Sequence, residues 1–159
     1  MMDAAMLAQA RRMAEAAAAG KQVVPGKALG DAPEFFLVGD EPMDQDLITG
    51  VPFSGKLNVV LISALDVLFR KYGAREDKMY VTYLVKSVYK PGELTEEMVL
   101  GDWLPALQAE YQASGCSAVV AVGSVAKMVQ GHVGLKNPAL KARPGLLERV
   151  RQAWQILSA

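Results

Sequence analysis

The sequence predicts an α/β domain with a three-layer α/β/α architecture around a short central parallel sheet. Three observations predict it. Short apolar runs at 35–38, 79–85 and 118–122 are each bounded by turn residues, helical patterns separate them, and strand and helix alternate along the chain. Alternation of this kind gives parallel strands joined by right-handed helical crossovers, with helices on both faces of the sheet.

The first strand is Phe35-Phe36-Leu37-Val38, an unbroken apolar run suited to burial on both faces. Gly39 ends it, so Asp40 and Glu41 emerge at its carboxyl end, where open α/β sheets place their ligand sites. With the rigid Pro42 and the later aromatic Phe53, these acids suit a site that grips a flat ring beside negative charge. The second run, Met79 to Val85, alternates and is rich in β-branched and aromatic residues, and Lys90-Pro91-Gly92 follows it. Ala118 to Val122 is the third strand.

The helices follow from period and punctuation. Residues from about Asp3 to Ala19 favour helix, and Gly20 stops it. Apolar residues at 57, 60, 61, 64, 65, 68 and 69 make one helical face, capped by Gly73. Thr95 is placed to cap a helix reaching Ala113, Gly123-Ser124 opens a short helix to Gln130, and Pro144 starts a last helix through Leu157. Val23-Val24-Pro25-Gly26 reads as a turn or short extended piece before the first strand.

The 159 residues, about half of them apolar, form a single domain (1–159) in which 1–20 is an N-terminal helix. Lys+Arg and Asp+Glu both number 17, so the chain lacks the overall basic field of many nucleic-acid binders, and a local patch must supply any such contact. One cysteine, Cys116, excludes an internal disulfide and fits a reducing compartment. Asp3, Arg11, Arg12 and Glu15 interrupt the alanine-rich start, which therefore lacks the apolar centre of a signal peptide or membrane span. The expectation is a soluble, cytoplasmic, monomeric protein without metal or cofactor.

Gly50-Val-Pro-Phe-Ser-Gly55-Lys56 has the spacing of a phosphate-binding loop, in which backbone amides cradle phosphates and the lysine reaches the terminal one. Leu57 stands where Ser or Thr should hold magnesium, and the polar Asp44-Gln45-Asp46 segment precedes the loop in place of a buried strand. A nucleotide or small-molecule enzyme is therefore the least favoured of three readings.

Taken in order, Val24-Pro25-Gly26, Asp31-Ala32-Pro33, Phe36 through Pro42, and Gly50 through Gly55 resemble the opening of the uracil-DNA glycosylase superfamily, closest to its iron-sulfur branch. The resemblance continues through Met79 to Lys86, Lys90 to Glu97 and Ala118 to Gly123, and echoes in Leu135 to Lys141. It covers about residues 22 to 131. It implies a uracil-DNA glycosylase-like fold and hydrolysis of the N-glycosidic bond of uracil or another altered base, with Asp40 at the catalytic carboxylate position. Glu41 stands where another branch keeps its catalytic Asp. A fixed carboxylate in a dry site stabilises the sugar cation left by a departing base and holds a water. Phe53, beside Pro42, matches the aromatic on which the flipped base stacks, which compensates for extruding that base from the duplex.

The chain also departs from that pattern. Tyr83 stands where the family carries the Asn that reads uracil, and offers one hydroxyl in place of an amide's donor and acceptor. The cluster cysteines and the His-Pro-Ser loop are missing, and His132, the only histidine, is the remaining candidate for the donor to the leaving base. Lys56, Lys86, Ser124 and Lys136 are the expected DNA contacts, with Lys90, Lys127, Lys141 and Arg143 on the same rim. The preferred expectation is a DNA base glycosylase acting on single- or double-stranded DNA. The alternative is a catalytically silent module of the same fold that binds DNA or a replication or repair protein.

Overall fold

The computed structural model describes residues 1–55 and 76–122. The helices expected at 57–72, 124–130 and 144–157 lie outside the described residues. So do Lys56, Ser124, Lys127, His132, Lys136, Lys141 and Arg143.

The described chain is mixed α/β. Helix α1 (Ala4–Ala18) begins at Asp3, whose carboxylate accepts the Met6 N–H at 3.0 Å, so one orphan donor of the first turn is satisfied. Strands β1 (Lys27–Ala28) and β2 (Phe35–Gly39) follow, then the short helix α2 (Asp44–Thr49). A 3₁₀ turn (Glu76–Lys78) leads into β3 (Met79–Tyr83). After it come α3 (Glu96–Met98), a π-helical turn (Val99–Trp103), α4 (Leu104–Ser114) and β4 (Ala118–Ala121).

Thr95 caps α3 as its sequence position predicts, accepting the Met98 N–H at 3.2 Å. The run from Glu96 to Ser114 is not uniformly α-helical, and Pro105 supplies the reason. A proline inside a helix has no N–H to donate and crowds the carbonyl four residues back, and the widened π turn just before it accommodates both effects.

The sheet order is β1-β3-β2-β4. Strands β2, β3 and β4 are the three predicted from sequence, and both of their pairings are parallel. The sheet as a whole is mixed, which corrects the all-parallel expectation. Lys27 and Ala28, just after the segment read as a turn or short extended piece at 23–26, run antiparallel along the outer edge of β3, with Lys27 opposite Val81 and Ala28 opposite Tyr80. Their ladder extends at both ends, from Val24 N–H to Lys86 O (2.8 Å) and from Leu29 N–H to Met79 O (2.9 Å). Backbone groups on the free edge of a buried strand need partners, and residues 24–29 provide them.

Every residue of β2 and β3 is buried, so both sheet faces are covered. Phe36, Val38, Tyr80 and Leu84 face α1 and α4 and pack with Trp103, Leu104 and Leu107. Ala10, Ala14 and Ala18 form the buried stripe of α1, and their small side chains let it lie close to α4. Phe35, Leu37, Met79, Val81 and Tyr83 face the other way and pack with Val24, Phe53 and Leu47. The loop carrying Phe53 thus covers the face opposite α1 and α4. Among the described residues, no helix is long and apolar enough to cross a membrane.

Candidate functional site

Parallel pairing sets Gly39, the last residue of β2, beside Tyr83, the last of β3. Two ladder bonds continue past the strands, from Leu84 N–H to Gly39 O (2.8 Å) and from Val85 N–H to Asp40 O (3.0 Å). The backbone of Asp40 is thereby fixed while its side chain stands half-buried at the carboxyl end of the sheet. Glu41 is exposed and Pro42 is buried. Although Glu41 is exposed, partial loss of hydration foremost, and then the charge of Asp40, push its carboxyl above the usual range.

Phe53 and Tyr83 meet on one face of the sheet. Their ring centroids are 4.8 Å apart with planes tilted by 34°, within the range of favourable aromatic pairs. Neither ring is open to solvent, Phe53 being 2% and Tyr83 1% exposed. Gly39 makes the approach possible, because a Cβ there would lie 2.8 Å from Phe53 Cζ and 3.1 Å from the Tyr83 ring. The acids therefore begin one residue beyond the point where the two rings close over the strand.

Both hydrogen-bonding capacities of the Tyr83 hydroxyl are used inside the protein. It donates to Asp46 Oδ2 at 2.6 Å and accepts the Phe53 N–H at 2.9 Å. Burial and the Asp46 carboxylate both drive the Tyr83 pKa upward, so the phenol stays protonated and remains a donor. Phe53 itself has φ +57°, a left-handed conformation rare for a bulky residue, and this bond helps to hold it there.

Asp46 organises the loop, and the sequence reading missed it. It is 1% exposed. Its Oδ1 accepts the Ser54 N–H and the Ser54 hydroxyl, both at 2.9 Å, while Oδ2 accepts the Met43 N–H at 3.0 Å besides the Tyr83 hydroxyl. Burial opposes its ionisation, but the bonds from Met43, Tyr83 and Ser54 together outweigh it and lower its pKa. These bonds also bear on the phosphate-loop spacing. The loop follows α2 and not a strand, and its amides are committed to protein acceptors: Gly50 to Asp46 O, Val51 to Thr49 Oγ1, Phe53 to Tyr83 and Ser54 to Asp46. A carboxylate of the chain itself already occupies the anion-accepting position.

On the other face of the sheet lies a second buried polar cluster. Glu110, on α4, accepts from Lys86 Nζ (2.8 Å), Tyr80 Oη (2.7 Å) and Thr82 Oγ1 (2.9 Å). Lys86 is 3% exposed and its ammonium also donates to the Tyr83 carbonyl at 2.5 Å, so the sequence expectation of a DNA contact at Lys86 is corrected. A charge taken from water is retained only where it is paired, and Glu110 supplies the pair. The readable signal was Glu110, which sits among the inward positions Ala106, Leu107 and Ala113 of its helix and so calls for a buried cation.

A groove of about 840 Å³ opens between Pro42-Met43-Asp44-Gln45 and Ser54, with Val88 in its lining, and neither Asp40 nor Glu41 lines it. Cys116 is half-buried and burial pushes its thiol up to about 11, which disfavours the reactive thiolate. Among the described residues, no three His, Cys, Asp or Glu side chains gather as a metal site requires. No protein-family model matches the sequence, and no curated protein is similar to it.

Proposed function

We propose that this chain is a uracil-DNA glycosylase-like protein that binds DNA while its base slot is held shut. The fold is read as three-layer and uracil-DNA glycosylase-like, with α1 and α4 as one outer layer. One observation carries the reading: the aromatic face on which a flipped base would stack, that of Phe53, is covered by Tyr83, whose hydroxyl is bonded on both sides. A base entering that slot would have to displace a buried ring and leave Asp46 and the Phe53 N–H without a partner, each loss amounting to about 1–3 kcal/mol. The ordered resemblance from Val24 to Gly123 supports DNA as the ligand, single- or double-stranded, with a replication or repair protein as the other partner of such a module.

A second reading is favoured by a different observation. Asp40 and Glu41 follow β2 directly at the carboxyl end of the parallel strands, where a base-releasing hydrolase needs carboxylates for cation stabilisation and water activation. On that reading the chain hydrolyses the N-glycosidic bond of uracil or another altered base, and Asp40 is the catalytic carboxylate.

DNA binding is tested by fluorescence anisotropy with labelled single- and double-stranded oligonucleotides over a range of salt. The proposal expects affinity to fall with salt, with a slope of roughly 0.7 in log affinity against log salt per neutralised phosphate of a single strand. Salt-independent binding, or none at low salt, rejects both readings.

A further inference from the structure

We propose that the cavity between α1 and the edge segment 23–28 binds a small organic anion, a carboxylate with a short apolar body and a hydroxyl at its far end. The cavity lies across the sheet from Phe53, so the inference is independent of the base slot and of DNA.

The cavity measures about 470 Å³, within the range of roughly 300–1,000 Å³ that small-molecule sites occupy. Burial divides its lining into a mouth and an inner end. Arg11 on α1 and Lys27 on β1 are exposed and stand at the mouth, whereas Tyr80, Lys86 and Glu110 are buried at the inner end. Aliphatic side chains, among them Leu7, Val23 and Ala28, line the space as well. The wall beside the inner end is bare backbone: a Cβ on Gly26 would lie 2.7 Å from Tyr80 Oη and 2.8 Å from Thr82 Oγ1, and closer still to Glu110.

Charge selects the ligand's head. Among the described residues Glu110 is the one acid of the lining, and Lys86 neutralises it across 2.8 Å. Arg11 and Lys27 are left as net positive charge at the mouth. Arg11 meets Glu15 at 3.6 Å with both side chains more than half exposed, a contact of little worth that leaves the guanidinium able to turn to a carboxylate. Its field reaches the inner end. Burial foremost, and then Glu110, raise the Tyr80 pKa, and Arg11 opposes them.

Hydrogen bonding selects the tail. The Lys86 ammonium has three N–H groups and uses two, on Glu110 and on the Tyr83 carbonyl. The Tyr80 hydroxyl donates to Glu110 and keeps an accepting lone pair. A ligand hydroxyl can accept from the ammonium and donate to the phenol oxygen. A purely apolar tail would take water from both groups and return nothing.

The test uses the full chain and 6-hydroxyhexanoate, with backbone amide chemical shifts and calorimetric heat as readouts. The proposal expects saturable one-to-one binding that shifts the amides of Ala8, Arg11 and Ala28 and leaves those of Phe53 and Ser54 in place. Hexanoate should bind about fivefold to tenfold more weakly for lack of the hydroxyl, and 1,6-hexanediol at least about tenfold more weakly for lack of the charge. Arg11→Met should weaken 6-hydroxyhexanoate by about tenfold or more, and Ala8→Phe, which adds a ring at an exposed position of the lining, should abolish its binding. A folded parent that does not bind 6-hydroxyhexanoate saturably overturns the proposal, and so do shifts centred on Phe53. Equal affinity for hexanoate or hexanediol overturns it, as does full affinity in Arg11→Met or Ala8→Phe. The comparison of the three compounds needs no variant, so it decides the matter even where a substitution unfolds the chain.

Discussion

The Tyr83 hydroxyl donates to Asp46 Oδ2 at 2.6 Å across 37 residues of sequence, tying the end of β3 to helix α2. Through the same oxygen, the Phe53 N–H joins the loop that follows α2 to the strand. Three segments that carry the candidate site thus share one phenol.

Tyr83→Phe keeps the ring and removes this link. Asp46 loses a charge-assisted bond and the buried Phe53 N–H loses its acceptor, so the variant should be destabilised by about 1–3 kcal/mol. Urea denaturation measures it directly. An unchanged midpoint would show that the phenol oxygen is dispensable.

Gly39→Ala should be at least as damaging, although alanine is a small residue. Its Cβ would lie 2.8 Å from Phe53 Cζ and 3.1 Å from the Tyr83 ring, and both rings are buried. Overpacking of this kind costs roughly 1–3 kcal/mol. The diagnostic is reversal: Gly39→Ala combined with Phe53→Leu should be less destabilised than the sum of the two single variants.

The acids predict opposite pH dependences. Asp46 has a folded pKa below 3.8, so its stabilisation is complete above that value and is lost as pH falls through the lower folded one. The stability gap between the parent and Asp46→Asn should therefore be wide at pH 7 and close under acid conditions. Glu41 is raised above 4.5, so its ionised form weakens the fold at neutral pH and both states are protonated well below 4.5. Glu41→Gln should be slightly more stable than the parent at pH 7 and equal to it near pH 3. Denaturation midpoints followed from pH 7 down through the folded pKa of Asp46 check both signs.

Lys86→Met strands Glu110 as a buried charge with only two hydroxyl donors, Tyr80 and Thr82. Breaking one side of such a pair costs about 3–5 kcal/mol, and Lys86→Met with Glu110→Gln should recover a large part of it. The pair also anchors the Tyr83 carbonyl, so the single variant should increase amide hydrogen exchange around Tyr83.

The parallel core was legible because each of its strands is an apolar run closed by turn residues. The edge strand Lys27–Ala28 was not, since two residues carry no periodicity and their pairing with β3 is set over more than fifty positions of chain. Asp46 was equally hidden. Nothing local separates it from Asp44, two residues earlier and exposed, and only the return of Ser54 and Tyr83 makes it a buried acceptor. Lys86 looked like a surface cation because its partner lies on a distant helix.

If Tyr83 closes the slot, the protein releases no base, and an abasic-site assay reads this out. Oligonucleotides carrying uracil or another altered base, single- and double-stranded, are incubated with excess protein, and abasic sites are cleaved and quantified against a control without protein. A closed slot gives no abasic sites above that control under conditions where the oligonucleotides are bound. Abasic sites that accumulate with the parent and disappear with Asp40→Asn would contradict it and establish the base-releasing reading in its place.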